Sequence, residues 1–145
     1  MKHFIYLITA VALFSVASCK KEAVNLNADQ NIEQKLVGKW KFESLFFAST
    51  HTLYVAIPSQ LDVVEFKADH KFVRSTNAEI TQQGNYDIIQ AKSIFTGMDD
   101  NLLRFNPQSV PAQETDLISI KGDTLIMKQN VYDGYVSKFS KVKFM

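Results

Sequence analysis

The sequence predicts an all-β domain over residues 36–145, and three observations carry that prediction. From Val37 onward apolar and polar side chains alternate with a period of two. Turn-forming clusters such as Ala68-Asp69-His70 and Lys121-Gly122-Asp123-Thr124 break the alternation at intervals usual for antiparallel strands. The segments between such turns number about eight strands, with one short helix and no internal repeat or low-complexity run.

The chain before that domain has a different character. A cationic start at Lys2 leads into an apolar run over residues 4–14 and then Val16-Ala17-Ser18-Cys19. Spanning a bilayer takes roughly 20 apolar residues, so this run fits a cleavable secretory signal instead. Residues 20–26 are polar and non-periodic and read as a tether. Asn27 or Asp29 is a candidate cap for a helical turn ending near Leu36, supported by Glu33, Gln34 and Lys35.

The first strand places Trp40, Phe42, Ser44 and Phe46 on one face and Lys39, Lys41 and Glu43 on the other. Leu45 and Phe47 make its upper end apolar on both faces. Residues 48–61 form a long apolar connection, expected to pack as a lid or pair as an extra strand. The next hairpin can be read in register. A three-residue loop with His70 in the left-handed region pairs Phe66 with Phe72 and Val64 with Arg74. That position gives His70 a conformational reason to be present and no need of a ligand.

Gly84-Asn85-Tyr86-Asp87-Ile88 reads as a strand with Tyr86 and Ile88 inward. Short strands are expected near Ile94-Phe95 and over residues 102–105, while Asp99-Asp100-Asn101 reads as a solvated turn. Around Gly122-Asp123 a two-residue hairpin puts Ile118, Ile120, Leu125 and Met127 on the inner face. Residues 134–143 make a last strand, with Tyr135 and Phe139 on one face.

Composition narrows the function classes. Removal of residues 1–18 from the 145 leaves 127, enough for one core, with 15 basic and 15 acidic side chains. A neutral domain has no field to draw nucleic acid. Cys19 is the only cysteine, so neither a disulfide nor a Cys-based metal site is available. His51 and His70 lie far apart without metal-ligand spacing. There is no nucleophile elbow and no glycine-rich phosphate loop, so no catalytic residue, metal or cofactor is predicted.

Two resemblances add to this reading. Val16-Ala17-Ser18-Cys19 resembles the lipobox of bacterial lipoproteins, which implies cleavage before Cys19, lipidation of that cysteine and a place on the outer membrane, facing the periplasm or the cell surface. Leu36-Val37-Gly38-Lys39-Trp40 resembles the Gly-x-Trp first strand of the lipocalin-like lipoproteins of Bacteroidetes-type bacteria. The hairpin around Ala68-Asp69-His70, Gly84-Asn85-Tyr86, Asp123-Thr124-Leu125 and Phe139-Ser140-Lys141-Val142 extend that likeness over nearly the whole domain. The resemblance implies an up-and-down antiparallel β-barrel of about eight strands. Residues 1–18 would then be signal, 19–35 the lipidated cysteine, tether and short helix, and 36–145 the barrel. It further implies a floor in which Lys141 packs over Trp40 beside Gly38.

The interior of such a barrel is wide enough for side chains or one small ligand. Phe46 and Tyr86 belong to the aromatic set expected inside. Arg74 is expected inward beside Asp62 and Thr76, where it either pairs with Asp62 at the rim or offers its fork to a ligand carboxylate. His51 and Tyr54, in the 48–61 connection, would stand at the portal. The expected function is binding or sequestration of a small apolar or amphipathic molecule. The alternative is a filled barrel that meets a protein partner in the envelope through its outer face and the 48–61 segment.

Overall fold

The computed structural model describes residues 31–108 and 115–143. The expected signal, Cys19, the tether and the two candidate helix caps, Asn27 and Asp29, lie outside the described residues. The first element, α1, spans Ile32–Leu36 after Asn31, whose side chain makes no capping bond. Ile32 and Leu36 share one face at i, i+4 spacing, and both are buried.

Nine strands follow among the described residues: β1 (Gly38–Phe47), β2 (Thr52–Val55), β3 (Asp62–Phe66), β4 (Lys71–Thr76), β5 (Glu79–Lys92), β6 (Asp99–Phe105), β7 (Asp116–Lys121), β8 (Thr124–Gln129) and β9 (Tyr135–Lys141). Eight of them, β1 and β3 to β9, pair antiparallel in sequence order, and β9 returns to β1. The sheet is therefore a closed up-and-down barrel. The ninth strand, β2, pairs with β1 alone, at residues 44–47, while β3 takes β1 at residues 38–41. The 48–61 connection thus contributes an extra strand.

Local turn chemistry sets the register as expected. Phe66 faces Phe72, Val64 faces Arg74, and His70 closes the loop with φ 60°. Its Nδ1 lies 3.3 Å from Glu33, tying the hairpin to α1. Lys121 pairs with Thr124 around Gly122 (φ 57°), which brings Ile118 opposite Met127 and Ile120 opposite Leu125.

Three expectations are corrected. Ile94 and Phe95 form no strand and sit in the turn between β5 and β6. There the Ile94 N–H is taken by the Asn130 side chain (3.0 Å), and Phe95 packs on Tyr132. Asp99-Asp100-Asn101 is the start of β6, with Asn101 buried, because these residues pair with Gln90, Ala91 and Lys92. Phe46 does not share a face with Phe42. β1 carries a bulge between Phe42 and Ser44, so Glu43 is skipped in the register with β9 and the alternation shifts by one residue.

Candidate functional site

The barrel has two unlike halves. Its lower half is solid, built from Trp40, Val64, Phe66, Phe72, Tyr86, Leu103, Ile118, Leu125 and Met127, with Ile32 and Leu36 of α1 packed in. Trp40 donates its indole N–H to the Leu36 carbonyl at 2.7 Å, which satisfies the one polar atom of a fully buried ring. Lys141 pairs with Trp40 across β1 and β9, and its ammonium stands 5.1 Å from the indole ring. It also donates to the Lys35 carbonyl at 3.2 Å. Gly38, at φ 132°, lets this lysine pass: a Cβ there would lie 3.3 Å from Lys141 Cε. Gly38, Trp40 and Lys141 therefore form the floor together.

The upper half is hollow. A cavity of about 460 Å³ is lined by Phe42, Leu45, Phe47, Val64, Met127 and Phe139, with Asp62, Arg74, Thr76, Tyr135 and Ser137 among its polar groups. The β1 bulge shapes this wall. Below it Trp40 and Phe42 face inward; above it Leu45 and Phe47 do, opposite Ser137 and Tyr135 of β9. The bulge falls where the other edge of β1 changes neighbour from β3 to β2. There the Glu43 carbonyl accepts the Ala56 N–H at 2.9 Å, and its carboxylate accepts from Ser140 at 2.5 Å.

The polar groups of the interior have definite partners. Arg74 lies over the Phe105 ring (4.6 Å) and near Phe72 (5.9 Å), and donates one hydrogen bond to Gln82 at 3.2 Å. The expected Asp62–Arg74 ion pair does not form. Asp62 instead accepts from Thr76 at 2.5 Å and from Gln60 at 2.9 Å, which engages both of its oxygens. The acidic group that acts on Arg74 is Asp116, at the head of β7 and 6% exposed. Burial pushes its carboxyl up to about 6, against a hydrogen bond from Tyr135 (3.4 Å) and the pull of Arg74. Burial likewise pulls Arg74 down from the usual guanidinium range, opposed by Tyr135 and Asp116.

Of the six residues expected to meet a ligand, the cavity wall holds Arg74 and Asp62. Tyr86 is buried in the solid half, where its ring meets Phe66 at 5.1 Å and its hydroxyl donates to the Lys67 carbonyl at 2.8 Å. Phe46 alternates with the lining residues Leu45 and Phe47, so it faces away from the cavity and packs edge-on against His51. Tyr54 packs on Phe47 with more than half of its surface exposed. Leu45, Phe47 and Asp116 were not singled out by sequence. For Asp116 a signal exists: it stands in phase with Ile118 and Ile120, hence on the inner row.

No protein-family description, curated protein or solved structure matches this chain. Among the described residues no group of three His, Cys, Asp or Glu side chains is placed to hold a metal ion. What the arrangement offers chemically is a shaped, mostly apolar recess whose wall holds the Arg74 guanidinium, the Asp62 carboxyl and a few hydroxyls.

Proposed function

We propose that this protein is a lipid-anchored, lipocalin-like protein of the bacterial envelope that binds a small apolar or amphipathic molecule in the barrel. One observation carries the binding part: the recess of about 460 Å³ above a closed floor falls within the size range of small-molecule sites. Its wall has their chemistry too, aromatic and aliphatic with a few convergent polar groups. The anchoring part rests on the lipobox-like Val16-Ala17-Ser18-Cys19. Lipid attachment and a 1:1 carrier or sequestering role suit a recess of this kind.

Titration of the purified chain with the neutral fluorescent probe N-phenyl-1-naphthylamine tests the recess. Saturable enhancement at one site per chain is expected, and no enhancement at micromolar probe removes the binding reading. Fractionation of cells carrying Cys19→Ser tests the anchor, with loss of the protein from the membrane fraction expected. Leu53, Tyr54, Val55 and Ile57, all more than half exposed on β2 and just after it, favour a second reading in which that strand meets an envelope protein. Crosslinking from β2 in intact cells distinguishes it.

A further inference from the structure

We propose that the cavity selects amphipaths with an anionic head, a carboxylate or a comparable monoanion, and that the head seats on the guanidinium of Arg74. This inference rests on the binding role proposed above. It starts from the hydrogen bonds that the interior makes and leaves unmade. Arg74 lines the cavity, carries five N–H donors, and has one hydrogen bond to Gln82. Among the described residues no carboxylate comes within 4 Å of it; Asp62, the nearest by register, has both oxygens engaged by Thr76 and Gln60.

The guanidinium lies over the Phe105 ring, with its Cζ 4.6 Å from the centroid. A cation–π contact of that kind positions the guanidinium without an oxygen acceptor, and the N–H groups not bonded to Gln82 stay available for a planar two-oxygen acceptor. Asp116, ionised at pH 8, acts on Arg74 from a distance and makes no ion pair with it within 4 Å. A guanidinium remains charged at any physiological pH, so the cavity wall holds a cation that, among the described residues, no carboxylate touches. A carboxylate entering from the mouth meets its remaining N–H donors directly. The apolar part of the same molecule then meets Phe42, Leu45, Phe47 and Met127. A neutral ligand would leave the fork unsatisfied in a place from which it displaces water.

The test is competition at pH 8 between bound N-phenyl-1-naphthylamine and two ligands of equal chain length, decanoate and 1-decanol, on the full chain. Decanoate is expected to displace the probe at about tenfold lower concentration, as befits a charge-assisted contact. Arg74→Gln is expected to erase that preference and leave decanol unchanged, whereas Asp116→Asn is expected to widen it. Equal displacement of the probe by acid and alcohol from the unaltered protein overturns the inference and leaves the binding role standing; that comparison needs no variant to fold. If the probe itself does not bind, the binding role fails and this inference falls with it.

Discussion

Asp116 sits where a carboxyl holds its proton more tightly than it does in water. Its carboxyl is raised to about 6 by burial, so the folded chain holds the proton more tightly than the unfolded chain does between about pH 4 and 6. The stability that this preference contributes is present at low pH and is lost as pH rises through the folded-state value. The loss is on the order of 3 kcal/mol for a shift of that size. Asp116→Asn removes the titration, so urea unfolding at pH 5 and pH 8 is expected to show a smaller decline for the variant than for the unaltered protein. Equal declines would contradict the assignment. The inward direction of Arg74 was legible from the sequence, because the hairpin pins it opposite Val64. Its partner was not, since alternation gives the face of a side chain and not the neighbour it meets across a barrel. Thr76 and Gln60 were as available to Asp62 as Arg74 was.

At the scale of elements, legibility followed turn chemistry. The β3–β4 and β7–β8 hairpins matched residue for residue, because a short loop of defined conformation leaves one register open. The upper end of β1 did not. Ser44-Leu45-Phe46-Phe47 is apolar on both faces, so nothing in the pattern marks a slip of one residue, and the bulge at Glu43 reverses which pair faces inward. Two substitutions separate the arrangements. Phe47→Ala removes a ring from the cavity wall and is expected to change the affinity for N-phenyl-1-naphthylamine at least severalfold, while Phe46→Ala leaves it within about twofold. The opposite ranking would place Phe46 inside and refute the bulge. The Ile94-Phe95 pair shows a related ambiguity. A short apolar pair serves equally in a strand or in a turn that packs on a neighbour, and here Lys128 covers Phe95 with its ammonium 3.2 Å from the ring centroid.

At the scale of the whole molecule, the question left by the sequence was whether an aromatic-rich barrel of this size is filled or hollow. It is both, divided along its length. Trp40, Phe66, Phe72 and Tyr86 crowd the end that α1 closes, and the inner rows of β3, β4 and β9 change to Asp62, Arg74, Thr76, Ser137 and Tyr135 at the other. That change of composition was present in the strand patterns, but only the closure of β9 onto β1 shows that these positions share one space. The proposed binding role requires that the hollow half take up a molecule. Native mass spectrometry of the full chain with decanoate added measures this most directly. A 1:1 adduct that is weakened by Phe47→Ala and kept by Phe46→Ala is the predicted result, and a spectrum holding only the bare chain at saturating decanoate would contradict it.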